Sequence, residues 1–461
     1  MVNVRLAALL LAGGILCAEG DRSTLEPLYR EALARRRAEL GEAHPKVADS
    51  LIQLGLYLQS LPGRRSEPEA QRLLREAAAL REKLLGPSHP SVAEVLEELG
   101  TILEARGAGI EALTLYRRAL PIRLAAGGPA LPKLRVRLAG LLEAAGDDGA
   151  TAQWRAAARE FPEGPERALA QSRLAAHVEA PSEAASLYRE AITQYEAAAE
   201  FAEAASIRLS LASVLEPDAA GPVLRQSLAE LETHLGSDHP RVAVAAANLA
   251  GLLLGQRQFE EAERLYRRAL AIDRAAYGDD HEEVAGDWRN LAAVLSERKD
   301  LTGAIDAARR AQTIYDSRLP KGHPDRAVTL YRLAALWREA GRLDEALPLL
   351  ERAVGEVETG AGPNSADLLP LLGDLAAGYQ ASGEPARAEP ALRRAAALSA
   401  QALPPDHPET IRAMFNLAFH LRVTGRAGEA APLLREVAAA AERVYGPGHP
   451  LTLRVRRLLQ E

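Results

Sequence analysis

The chain has 461 residues, enough for three average domains or one long repeat array. Its 56 basic and 63 acidic side chains are interspersed, and this balance excludes a general attraction to nucleic acid or to an anionic membrane. Apolar residues make up 48% of the chain but aromatics only 4%, so the apolar fraction is mostly Ala and Leu, which favours closely packed helices.

The N-terminal segment, MVNVRLAALLLAGGILCAEGDR, contains an apolar run over Leu6–Leu16. The run is too short to span a bilayer comfortably and predicts a signal peptide over residues 1–20, so we expect an exported protein, periplasmic or secreted. Cys17 is the only cysteine and forms no intrachain disulfide. It ends the run as a lipidated cysteine would, which leaves a lipid anchor in the envelope as an alternative. A third alternative is that the apolar run forms a buried helix of the fold.

A histidine recurs along the rest of the chain at a nearly fixed spacing. In the second half the marks are 42 residues apart, and in the first half one interval of 45 residues includes a lengthened turn, LPGRRS. After each mark come two amphipathic stretches with apolar residues three and four positions apart, the spacing of a helix face. The marks are His44, His89, His239, His281, His323, Ser365, His407 and His449.

Each period thus predicts a pair of helices, and small residues recur where the two helices would touch. In the copy at residues 239–272, the small pair is Ala250 with Ala262, and five other copies repeat it. The chain resembles the tetratricopeptide repeat family, in particular the 42-residue repeats of kinesin light chains and many bacterial proteins. The resemblance implies an all-α fold, a right-handed α-solenoid of stacked antiparallel helix pairs, and a non-enzymatic interaction scaffold.

The histidine marks vanish between about 130 and 235, where degenerate copies resemble the shorter 34-residue form of the repeat. A continuous solenoid with altered pitch and a break between two arrays both fit this stretch. The expected organisation is a signal peptide over 1–20, repeats over 21–129, degenerate repeats over 130–235, and repeats with a terminal capping helix over 236–461.

The histidines themselves are interpreted as helix joints. A Gly such as Gly236 precedes several marks and suits a helix end, while a Pro such as Pro240 follows most of them and suits a helix start. A shared metal is excluded on distance, since packed helices lie about 8–10 Å apart and metal ligands converge to about 2 Å. The sequence also contains no HExxH or GxSxG motif, so we expect no catalytic residue, metal or cofactor.

In the related family the first helices line a groove that holds a peptide or partner protein. The residue before the Leu-Ala pair of the first helix points into this groove, and an Asn there can both donate to and accept from a peptide backbone. The resemblance places seven residues at that position: Gln53, Glu98, Asn248, Asn290, Arg332, Asp374 and Asn416.

Residues next to these positions differ between the two ends of the chain. The early copy offers Glu94, Glu97 and Glu104, whereas the later copies offer Arg289, Tyr331, Arg338, Arg412 and Arg422. A forked guanidinium suits carboxylates, so we expect the C-terminal half to bind an acidic segment or a chain terminus. The alternative function is a regulatory receptor for a small peptide or ligand that changes the pitch of the solenoid.

Overall fold

In the computed structural model, which describes residues 25–61 and 67–460, the chain is all-helical, as predicted. The predicted signal peptide and Cys17 lie outside the described residues and stay predictions. Within the described ranges there are 22 helices and no strand. None of these helices combines the length and the apolar character needed to cross a bilayer.

The chain divides into two compact units, Met1–Leu215 and Glu216–Glu461. The division falls inside the stretch 130–235, so the last helix of that stretch belongs to the second unit. The helices of the first unit are α1 (Glu26–Leu40), α2 (Pro45–Ser60), α3 (Glu67–Leu85), α4 (Pro90–Ala105), α5 (Gly109–Ala126), α6 (Ala130–Ala144), α7 (Gly149–Glu160), α8 (Pro165–Ala175), α9 (Pro181–Ala197) and α10 (Phe201–Ser213).

The second unit begins with α11 and contains five successive helix pairs of the 42-residue repeat. Its helices are α11 (Pro217–Leu235), α12 (Pro240–Gly255), α13 (Phe259–Tyr277), α14 (Glu282–Glu297), α15 (Leu301–Arg318), α16 (Pro324–Glu339), α17 (Leu343–Ala361), α18 (Leu368–Ala381), α19 (Pro385–Ala402), α20 (Pro408–Val423), α21 (Ala427–Tyr445) and α22 (Pro450–Gln460).

Within each unit every helix packs against the next, and the contact is most extensive inside a predicted pair such as α12–α13 or α14–α15. The degenerate copies follow the same rule, since α6 through α10 also pack as consecutive neighbours. Two further contacts, α12–α14 and α18–α20, join first helices of successive pairs. The first helices of the second unit therefore lie side by side.

The small residues predicted to separate the two helices of a pair are buried. Ala250 and Ala262 have no exposed surface, and the same holds for Ala376 and Ala388. Because a larger side chain would push the helices apart, these positions set the close approach inside each pair.

The histidine marks are helix N-caps, which confirms their interpretation as joints. In all seven copies the imidazole Nδ1 accepts a hydrogen bond from the backbone N–H two residues on, at 3.1–3.2 Å. Ser365, which replaces the histidine in one copy, accepts from the Asp367 N–H through its hydroxyl at 3.2 Å. Each side chain satisfies one of the amides that the first turn of a helix leaves without a partner.

We expect His239→Ala to lower the free energy of unfolding by about 1 kcal/mol, the usual cost of a lost N-cap. His239→Asp is the matched control, since a carboxylate also accepts from the first turn and suits the positive end of the helix dipole. Urea unfolding followed by circular dichroism measures both. Equal stability of His239→Ala and the wild type would contradict a capping role.

Candidate functional site

Three first helices of the second unit line a cavity of about 790 Å³. Gly251 and Gly255 of α12 and Ala293 of α14 form part of its wall, and α16 contributes Arg332 and Arg338. Small residues on α12 and α14 leave space beside the helix backbones, so an extended chain can approach them closely. We call the cavity, with the equivalent faces of α18 and α20, the groove.

The structure places the five groove positions of the second unit on five successive first helices. Asn248 and Arg332 are exposed, whereas Asn290, Asp374 and Asn416 are half-buried. In the described part of the chain, the side chains of Asn248, Asn290, Arg332 and Asn416 form no hydrogen bond or ion pair. Four of the five positions therefore keep their polar groups available for a ligand.

Asp374 differs from the other four because its neighbours already satisfy it. The Tyr331 hydroxyl donates to Asp374 Oδ2 at 2.9 Å, and Arg338 Nη1 lies 3.0 Å from Asp374 Oδ1. Burial, with this hydrogen bond to a carboxylate, raises the pKa of the Tyr331 phenol. The structure thus brings together three predicted site residues, but they connect α16 to α18 rather than standing free.

The remaining predicted arginines divide into paired and unpaired groups. Arg289 pairs with Asp325 of the next first helix, and its guanidinium lies 5.8 Å from the centre of the Tyr315 ring. Arg412 pairs with Glu409 of its own helix. Arg332 and Arg422 form no ion pair with a described residue. Arg332 lines the cavity itself, so it carries the guanidinium best placed for an anionic group.

In the first unit, Gln53 is half-buried and Glu98 is exposed at the equivalent positions of α2 and α4. The predicted acidic residues beside them are largely neutralised, because Glu97 pairs with Arg123, Glu94 with Arg81, and Glu104 with Arg137. The first unit consequently presents less free charge than the sequence indicates.

Two apolar residues and one hydroxyl of the groove were missed by sequence reasoning. Val244 and Val328 lie one turn before Asn248 and Arg332 and are 49% and 43% exposed. Thr329 lines the cavity and is 1% exposed, and its hydroxyl has no hydrogen-bond partner within the described ranges. Each valine lies four residues before a groove position, so the 42-residue spacing of those positions could have identified both.

These features define a helical-repeat protein whose second unit sets its first helices side by side. One sequence model of the tetratricopeptide repeat matches residues 64–125, 203–275, 241–317 and 288–355, and a second model of this repeat matches 6–46, 371–409 and 410–451. Together the matches cover most of the chain, which belongs to the tetratricopeptide repeat family. The match that begins at residue 6 includes the apolar run assigned above to a signal peptide.

Several solved structures resemble parts of the chain. A kinesin-light-chain-like protein of Podosopora anserina with nearly identical TPR-like repeats is 25% identical, with a TM-score of 0.40 over 44% of this chain and 97% of that one. BtubC (BKLC) from P. vanneervenii is 18% identical, with a TM-score of 0.44 over 50% and 92%. YrrB, a TPR protein with an unusual peptide-binding site, is 20% identical, with a TM-score of 0.35 over 49% and 95%. No curated protein matches the chain at a significant level.

Proposed function

We propose that the protein is an interaction scaffold whose second unit binds an extended segment of a partner protein along the groove. One observation carries the proposal: Asn248, Asn290, Arg332 and Asn416 repeat every 42 residues, with a single interruption, and have no partner of their own among the described residues. Amides at this spacing suit a peptide backbone, which offers donors and acceptors at regular intervals. Val244 and Val328 add apolar contact on the same face.

We further propose that the bound segment carries a carboxylate, from an acidic side chain or a chain terminus, which faces Arg332. The other two cavity arginines already have partners, Arg289 with Asp325 and Arg338 with Asp374. Among the arginines that line the cavity, Arg332 is the one whose guanidinium has no partner in the described part of the chain, so both of its donor edges are available. A carboxylate can bind such a fork through two parallel hydrogen bonds.

The test is peptide selection on the full-length chain, followed by calorimetry with the selected peptides. Changing Asn290, Arg332 and Asn416 together to Ala should weaken binding at least tenfold, because each lost hydrogen bond contributes about 0.5–1.5 kcal/mol and a charged one more. Amidating the peptide carboxylates should reduce binding to the wild type but not to Arg332→Ala.

The control changes three exposed Asn and Arg residues that have no partner in the described part of the chain and lie outside the cavity lining: Arg264, Asn364 and Arg435. This variant should bind as the wild type does. Peptides that bind the groove variant and the wild type equally would place the binding site elsewhere.

A further inference from the structure

Two buried carboxyl groups face each other between α13 and α14, where one helix pair packs on the next. Asp273 is 6% exposed and Asp287 is 5% exposed. The two side chains share a hydrogen bond, yet Asp273 Oδ1 and Asp287 Oδ2 have no partner among the described residues. In the described part of the chain neither carboxyl pairs with a Lys or Arg.

The pair is particular to this junction. The 42-residue repeat places other residues at the same two positions of every other junction in the second unit, and none of them is an acid. They are Leu231 with Ala245, Tyr315 with Thr329, Val357 with Leu371, Ser399 with Ala413, and Ala441 with Val455. Helix packing therefore does not require the two carboxyls.

Two carboxyls in contact and away from water cannot both be ionised without a large penalty. Burial, reinforced by the charge of Asp273, raises the pKa of Asp287 to about 8. Burial also raises the pKa of Asp273 above its usual range, although its hydrogen bond with Asp287 opposes this. Around neutral pH the pair therefore holds a proton.

Two neighbours on α14 act on the pair in opposite directions. Glu283, in the first turn of α14, raises the pKa of both carboxyls, while His281 at the cap of α14 lowers that of Asp273. On α13 the pKa of the Tyr266 phenol is raised, mainly by burial and secondly by the charge of Asp287. Gly251 of the flanking helix α12 lies against the Tyr266 hydroxyl. The Tyr315 hydroxyl of the flanking helix α15 lies against Gly286.

We propose that the α13–α14 junction is a proton-controlled joint, closed while the Asp273–Asp287 pair holds a proton and loosened when that proton is removed. A carboxyl whose pKa is raised on folding stabilises the fold fully below its unfolded value of about 4, and this contribution is lost as pH rises through the folded value. The joint therefore loosens from mildly acidic toward alkaline pH.

The joint also lies beside the groove, because Asn290 follows Asp287 by less than one helical turn on α14. On the basis of the proposed function, loosening of α14 should weaken peptide binding as pH rises. The joint itself requires no ligand, so it can be tested separately from the groove.

The test is hydrogen exchange of the full-length protein at pH 5.5, 7.0 and 8.5, corrected for the intrinsic exchange rate. Peptides covering α13 and α14 should lose about tenfold in protection across this range, whereas α17 and α18, which carry Val357 and Leu371, should not. In Asp287→Asn, whose amide cannot ionise but still donates to Asp273, the loss should disappear.

A second variant, Asp273→Leu with Asp287→Ala, copies the α11–α12 junction and should also show no change with pH. A constant ratio of protection between the two regions in the wild type would overturn the proposal. So would a pH dependence that persists in the Leu and Ala variant. Neither outcome would bear on peptide binding at Asn290.

Discussion

Replacing Arg326 with Val is expected to destabilise the second unit by about 3–5 kcal/mol, the usual cost of leaving one partner of a buried ion pair alone. Arg326 is 7% exposed, and its Nη2 lies 2.7 Å from Glu356 Oε1 and 2.9 Å from Asp316 Oδ1. Burial by itself would raise the pKa of Glu356, but hydrogen bonds from Arg326 and the Gly322 N–H hold it below its usual range. Without Arg326 that carboxylate loses its main partner.

Arg326 also completes the end of the preceding helix. Its Nη1 donates to the carbonyl oxygens of Tyr315, Asp316 and Leu319, at 3.4, 3.0 and 3.3 Å. These carbonyls lie in and just beyond the last turn of α15, where intrahelical partners run out. One guanidinium therefore serves both an ion pair and a helix end.

The control for this prediction comes from the neighbouring repeats, which carry apolar residues at the same two positions. Val284 with Ile314 and Val242 with Ile272 show which side chains fit there. Arg326→Val with Glu356→Ile should therefore recover much of the loss, because no unpaired charge remains. Urea unfolding of the wild type and both variants measures this. A double variant no more stable than Arg326→Val would assign the loss to the α15 carbonyls instead.

The repeated architecture could be predicted from the sequence because its determinants are local. An N-cap such as His239 accepts a hydrogen bond from the backbone only two residues further on. A pair of small residues such as Ala250 and Ala262 lies within one helix hairpin. The groove positions also follow from the 42-residue spacing. Such features repeat with the period and are visible without knowing which helices meet.

The pairing of charges across helices could not be predicted in this way. Arg338 and Asp374 are 36 residues apart, and their contact depends on how α16 meets α18. The ionisable residues at buried junctions, such as Asp287 and Arg326, also resemble surface residues when each repeat is considered alone. The other repeats of the second unit carry Val, Leu or Thr at the position of Arg326, and only this comparison shows that Arg326 interrupts a column of uncharged side chains.

The Arg326–Glu356 contacts also include the loop at Gly322, which is held against α17. This close contact predicts the effect of adding a single methyl group there. The Gly322 N–H donates to Glu356 Oε2 at 2.6 Å, which brings the loop backbone against the last turn of the helix. A Cβ built on Gly322 would lie 2.7 Å from the Gly360 nitrogen, and one built on Gly360 would overlap the Gly322 carbonyl oxygen. The equivalents of Gly360 are Ala276, Arg318, Ala402 and Val444, so the close approach belongs to this repeat alone among the five.

Gly360→Ala is therefore expected to lower the free energy of unfolding by about 2–3 kcal/mol, because backbone atoms must move to accommodate the methyl group. In Gly355→Ala, five residues earlier in α17, the new methyl group meets no described residue within 4 Å and should instead stabilise the helix by about 0.5–1 kcal/mol. The two variants change the same residue type in the same helix, so helix propensity alone would give them the same sign. Opposite shifts in urea unfolding would show that the loop is held against α17. A stabilising Gly360→Ala would mean that the loop moves away freely, and that the Arg326–Glu356 pair does not fix its position.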